Sequence, residues 1–559
     1  MKGWLREPLF WILLAAAALR LTGLFWGLPA SDGWDDDGFA PRNFLTALAL
    51  TWKPGAYFTY PPLHALLLAL PSLPVAAWAL AHAPSLSQHD VIAEITKPAY
   101  MTYFSVVARL VGIAMSLGII WAIGAMARLV AGRRAGLFAA GAAALNVGLT
   151  YYGQVSNLDV PYLFWALLSL LFGMRGVLEQ KPRRFWAAAL FAAAAIATKD
   201  QAYAIFAVSL PLFVALWFIA DRWPRRNART VLVTLALAAA AAIFALLLVD
   251  GAITNPAGFL KRVAFLAGPA SQDYAEYHRG MAGTLALLGD MFHHYMDGVG
   301  AVTLTLAAMG LVAFALRARG ALRIAGLLPA LAAISFTLCF NLAALRTDDR
   351  FLLPQALMAC VYMGIAAAFV LKARPWLRPV AVAVLAVTGL LSLHQTMAVD
   401  AAMLLDPRYD AEAWMAARVR PGDTMETYGQ NCFLPRFPQG VRVSRVGQGD
   451  LKLRNPLPGV TELRQPFSAR RSPRFIVVSG AWVRRYLRSE LPLKSGHIYS
   501  RLQQADFRNA DARGHFAALD GGRLPYRLVH VARYQGRFWP AMHIHDSLDE
   551  PIGIYERLP

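Results

Sequence analysis

Three consecutive aspartates, Asp35, Asp36 and Asp37, follow the first apolar segment of a chain whose first four hundred positions are otherwise mostly apolar. Ionised carboxylates in a row repel one another and gain nothing from hydrocarbon, so beside a membrane-embedded core they are expected to line a wet cavity or to do chemistry. A carboxylate near an acceptor hydroxyl can act as a general base. The plain alternative is an acidic turn that keeps a loop in water. Cations that could meet a phosphate recur far along the chain, at Lys199, at His278-Arg279 and at Arg350 in Asp348-Asp349-Arg350. Each has a structural counterpart. Lys199 can snorkel from a helix end, Arg350 can pair with Asp348 or Asp349, and Asp159, two residues before Pro161, can cap a helix instead of forming a second acidic site.

The elements that must position these residues are read from composition. Hydrophobic residues make up 57% of the chain and fall in successive apolar runs, which predicts a polytopic α-helical membrane protein. Spans are expected near residues 8 to 28, 104 to 131, 136 to 152, 160 to 178, 185 to 198, 202 to 221, 230 to 250, 298 to 316, 322 to 343, 352 to 371 and 378 to 397, about eleven helices on the usual length criterion. The run Leu63 to His82 is interrupted by Pro71 and Pro74 and reads as a juxtamembrane or re-entrant helix. The first segment reads as a retained span, not a cleaved signal.

The net charge of +20 does not point to nucleic acid, because much of it sits in short connectors such as Arg133-Arg134, Lys181 to Arg184 and Arg222 to Arg229. Basic connectors mark the cytoplasmic side. The outer face then collects the external loop 29–103 with the acidic cluster, the turns at 151 to 159 and at Lys199, the external loop 250–298, the stretch Arg346 to Arg350 and everything after residue 397. Groups far apart in sequence thus converge on one side of the bilayer, a pattern suited to a lipid phosphate and a polar substrate.

Trp34-Asp35-Asp36-Asp37 followed by Tyr60-Pro61-Pro62-Leu63, the loop from Tyr151-Tyr152 to Asp159-Val160-Pro161, Ala197-Thr198-Lys199 and Arg350-Phe351-Leu352-Leu353-Pro354 occur in that order. In this the chain resembles the protein O-mannosyltransferase-like and aminoarabinose-transferase-like membrane glycosyltransferases over roughly residues 1 to 400. The resemblance implies a C-type glycosyltransferase fold, a polyprenyl-phosphate-sugar donor, a glycan, lipid or protein acceptor, and a bacterial inner membrane with the site and C-terminal domain in the periplasm. That family usually has Asp-Glu where this chain has three aspartates. The register favours Asp36 as base, with Asp35 and Asp37 orienting it or the acceptor. Arg350, Lys199, Arg279 and His278 would serve the donor phosphate, and Asp159, Tyr60, Tyr152 and Tyr274 the substrates. Direct displacement would invert the anomeric carbon. The resemblance fixes no cofactor: some members use a divalent cation, here Mg or Mn, and others basic side chains, and three aspartates fit either arrangement.

Residues 398 to 559 are richer in charge and long enough for a soluble α/β domain of their own. An amphipathic helix over Asp410 to Arg418, a buried strand over Phe475 to Val478 and strand-like alternation over Met542 to Arg557 are expected. His543, His545 and Asp546 imitate a metal site without a further convergent ligand, and His293 with His294 diverge on a helix. The three cysteines, Cys339, Cys360 and Cys432, imply no disulfide framework. A transporter or flippase is the other class to weigh; it should show an internal repeat and broken paired spans, and no repeat is visible.

Overall fold

The computed structural model describes residues 7–30, 33–35, 37–372, 375–447, 459–487, 493–539 and 548–559. Asp36 and the His543, His545 and Asp546 group therefore lie outside the described residues.

The chain is a multi-pass, mostly helical membrane protein carrying a C-terminal α/β domain. Among the described residues eight helices are long and apolar enough to cross a bilayer, or nine if Met281–Gly298 and Ala301–Arg317, bent by 109° at their junction, form one broken span. The difference from eleven has a local cause. Pro8–Leu21 and Arg183–Ile196 reach only 14 residues each, and the apolar run from 136 to 152 is split between Arg133–Ala144 and Val147–Gln154, where Asn146 caps the second helix. At 1.5 Å per residue such helices fall short of a hydrocarbon core about 30 Å thick. Conversely, Leu63–His82 runs through Pro71 and Pro74 as one helix of 20 residues and meets the same criterion of length and composition.

Three helices form the frame for the candidate site. Pro98–Ala131 starts with proline in its first turn, where a missing N–H costs nothing, and runs for 34 residues. Asp159–Leu178 and Asp349–Val370 are largely buried and stand near it in the helical core. Outside this frame Pro256–Ala267 is amphipathic. Leu260 and Val263 are exposed, whereas Arg262 is buried and reaches Asp250 at 2.6 Å and Asp200 at 3.2 Å. An apolar face turned outward beside a membrane core suits the bilayer interface.

In the C-terminal domain six strands form one sheet: β1 (Thr424–Tyr428), β2 (Arg442–Val446), β3 (Thr461–Gln465), β4 (Phe475–Ser479), β5 (Tyr526–Ala532) and β6 (Ile552–Arg557), in the order β3-β2-β1-β4-β6-β5. The first four are parallel; β6 runs antiparallel to both β4 and β5. β4 is buried throughout because both sheet faces are covered. Ala411 and Met415 of the helix Pro407–Arg418 pack on Met425, Val443 and Phe475, and Trp482 and Phe516 pack on Tyr428, Ile476 and Val478.

Candidate active site

The acidic turn is held from below. Asp35 and Arg109 are both fully buried and meet at 2.6 Å, and the other carboxylate oxygen of Asp35 accepts from the Ser156 backbone N–H at 3.0 Å. Arg109 also donates to the carbonyls of Leu24 and Trp26 at 2.9 and 2.8 Å. A buried carboxylate is stable only when its charge is matched in this way. The Gly38 N–H closes the turn on the Asp35 carbonyl at 3.2 Å, and Asp37, at φ 52°, lies in the left-handed region between them. Asp35 is thus spent on structure and faces no cavity.

Asp37 points the other way. Its side chain is 45% exposed and pairs with Arg350 Nη1. Both line a cavity of about 490 Å³ whose polar wall also includes Tyr60, Lys199, Asp200 and Arg346, and whose apolar wall includes Phe265, Phe340 and Phe351. Arg350 stands in the first turn of Asp349–Val370, its backbone N–H donating to the capping Asp348 at 3.4 Å. Its Nε lies 3.6 Å from the Asp348 carboxylate. Arg350 thus faces the cavity while it keeps carboxylate partners, Asp37 and the neighbouring Asp348.

Lys199 meets Asp159 at 2.7 Å. Burial pushes its ammonium below the ordinary lysine value, and Asp159 opposes that shift. Asp159 is not a cap; it sits in the first turn of its helix, behind Lys199, and also takes a 3.4 Å bond from Gln201. Tyr60 lines the cavity, and burial and then the charge of Asp37 raise its hydroxyl above the usual tyrosine range. Tyr274 lines it too, while Tyr152 is buried in the helical core and does not.

His278 and Arg279 are exposed and absent from the cavity wall. Their loop is taken up elsewhere: the His278 N–H bonds the Gly496 carbonyl at 3.0 Å and the Ile498 N–H bonds the Glu276 carbonyl at 2.9 Å. His497 and Tyr277 share Asp290, at 2.7 and 2.8 Å. The C-terminal domain thus straps the external loop. His294 pairs with Asp349 at 3.0 Å on a separate cavity, and His293 is exposed.

Arg346 is the cavity cation that spacing alone did not single out. Its guanidinium lies 4.6 Å from the ring centres of both Tyr274 and Phe351, and among the described residues it forms no ion pair. Burial and the nearby Arg350 push it below its ordinary value. A guanidinium this close to two rings, and in no direct ion pair among the described residues, can receive an anion. Arg109, within an otherwise apolar helix, was also missed, although a charge in such a segment normally signals a buried partner.

Each of the described carboxylates in the acidic motifs already faces a cation. Asp35 is saturated by Arg109 and Ser156, Asp37 faces Arg350 and Asp159 faces Lys199. Among the described residues no group of three His, Cys, Asp or Glu converges.

The family model described as dolichyl-phosphate-mannose-protein mannosyltransferase matches residues 102–249, the stretch that supplies Arg109, Asp159 and Lys199, and it bears out the resemblance read from the sequence. No curated protein matches the chain. Among solved structures the chain is similar to ArnT from Cupriavidus metallidurans bound to undecaprenyl phosphate, at 15% identity over 87% of this chain and 97% of that one, with a TM-score of 0.47. It is similar also to the Archaeoglobus fulgidus oligosaccharyltransferase in complex with Zn and sulfate, at 13% identity over 99% of this chain and 88% of that one, with a TM-score of 0.48.

Proposed function

We propose that this chain, a membrane glycosyltransferase related to the dolichyl-phosphate-mannose-protein mannosyltransferases, uses the cavity between Asp37 and Arg346 to move a sugar from a polyprenyl-phosphate donor to a glycan, lipid or protein acceptor. The observation that carries this reading is the wall itself: two carboxylates, Asp37 and Asp200, and three cations face one space whose other side is aromatic and apolar. The basic connectors support an outer-face position for the cavity, and the resemblance supports the periplasmic side of a bacterial inner membrane.

A phosphate entering beside Arg346 meets Arg350 as well, and Arg350 has to leave Asp37 in order to form two parallel bonds to it. Asp37 is then released next to the anomeric carbon and can take the proton of the acceptor hydroxyl. The acceptor oxygen attacks the anomeric carbon as the bond to the phosphate oxygen breaks, the electron pair leaves with the polyprenyl phosphate, and the configuration inverts. Fixed cations at the departing phosphate supply the electrostatic part. No step runs through a metal. Donor binding and base release are one event in this scheme, which keeps the base unavailable until a donor is present.

The test is incubation of the purified chain in lipid with a panel of polyprenyl-phosphate sugars, following donor loss and product by mass spectrometry. Consumption of one donor, with inverted product, is expected. Slow hydrolysis or no consumption across hexosyl and pentosyl donors, each with candidate acceptors supplied, would defeat the reading.

A further inference from the structure

Trp34 immediately precedes the acidic turn and is buried to 2% exposure. The residues around it come from the C-terminal side of the chain. The Arg408 guanidinium lies 4.1 Å from its ring centre, the Tyr409 ring 4.9 Å and the Arg436 guanidinium 5.4 Å. Arg408 is itself fixed: its Nε and Nη2 donate to Asp406 at 2.8 and 2.6 Å, and its Nη1 donates to the Cys432 carbonyl. Asp406 also accepts from the Trp26 indole at 3.0 Å. Gly27, at φ 69°, lies so close that a Cβ there would come within 2.6 Å of the Trp34 ring. A cation against a desolvated indole is attracted by the negative ring face, so this contact is not incidental packing.

The chain on both sides of Asp37 is tied to the helical core. Asp35 is pinned by Arg109 and Ser156, the turn closes at Gly38, and the Phe39 N–H bonds the Ser156 carbonyl at 2.6 Å. Because Asp35 directly follows Trp34, a displacement of Trp34 pulls on the Arg109–Asp35 anchor from which this turn starts.

We propose that Arg408 is a positioning residue: by holding Trp34, the base of the C-terminal domain sets where Asp37 stands relative to Arg350. The C-terminal domain is on this account part of the catalytic geometry and not only an appended module. A misplacement of about 1 Å at a reacting group can cost about a hundredfold in rate.

The inference rests on the transferase reading, so its test pairs an activity measurement with one that needs no activity. In the full-length chain in lipid, Arg408→Lys keeps a cation but loses the two-pronged hold on Asp406, and Trp34→Ala removes the ring. Each should lower kcat about tenfold or more while donor-lipid affinity stays within about twofold, since neither residue lines the cavity. Combined, the two should be no worse than about the poorer single variant, as partners in one contact are not additive. Trp34→Phe, which keeps a ring under the guanidinium, should restore most of the rate, and it carries the comparison if Trp34→Ala does not fold. Separately, in a Cys339→Ser background, the rate of thiol labelling of Asp37→Cys should change severalfold when Arg408→Lys is added. Folded variants with unchanged kcat and unchanged labelling would overturn the proposal, as would losses that multiply. Failure of the wild type to use any donor would sink the transferase reading alone, because the labelling comparison still decides whether Arg408 sets the turn.

Discussion

Asp35 and Asp37 are the same residue type two positions apart, and the structure gives them opposite surroundings. Asp35 faces the helical core, fully buried against Arg109. Asp37 faces the cavity, 45% exposed and paired with Arg350, which in the proposed scheme turns to the donor phosphate. A run of three carboxylates is thus not one cluster with a shared task. One member fixes the turn, and another is presented by it.

The comparison is broken most severely on its buried side. Asp35→Asn leaves the Arg109 charge buried without a counter-ion, and loss of one partner of a buried pair costs about 3–5 kcal/mol. We expect a large fall in thermal stability and little folded protein, read by the melting profile of detergent-purified material. A variant with wild-type stability but lost turnover would instead give Asp35 a chemical role.

On the cavity side the effects should appear in substrate handling with the fold intact. Arg346→Leu removes the cation stacked between Tyr274 and Phe351, and a charge-assisted contact of about 1.5–3 kcal/mol predicts donor affinity weaker by about tenfold or more. Stability should hardly move. Equal donor binding in wild type and variant would assign Arg346 to packing alone. The smallest effect is expected from metal removal: turnover measured with and without a chelator should agree, and a loss restored by Mg or Mn would show that Asp36 completes a metal site with its neighbours.

How much of this was legible in the sequence depends on the range of the interaction concerned. The apolar runs and the order of Asp, Lys and Arg motifs are local patterns; the helical architecture agrees with the former, and the family match over residues 102–249 agrees with the resemblance that the latter suggested. Span lengths were less legible, because hydropathy reports an apolar run and not the Asn146 cap that divides one or the prolines that Leu63–His82 tolerates. Partner choice was legible where it is local, as for Arg350 with Asp348, and not where it spans the chain. Nothing in Asp35-Asp36-Asp37 says which carboxylate turns toward Arg109, 74 positions away. His278 and Arg279 have the right chemistry for phosphate, yet the strand-like pairing of their loop with Gly496 to Ile498 carries them off the cavity. Arg346 became visible only when Tyr274 and Phe351 closed on it from different segments.

The most direct test of the account is donor binding and turnover measured side by side in Asp37→Asn. If Asp37 and the donor phosphate share Arg350, removing the carboxylate charge frees that arginine. Donor-lipid affinity should then be maintained or rise, while turnover falls by about a hundredfold, the scale of a lost general base. Near-normal turnover in Asp37→Asn, with the loss appearing in Asp36→Asn instead, would move the base one residue back, and donor affinity that falls along with turnover would contradict the shared-arginine account.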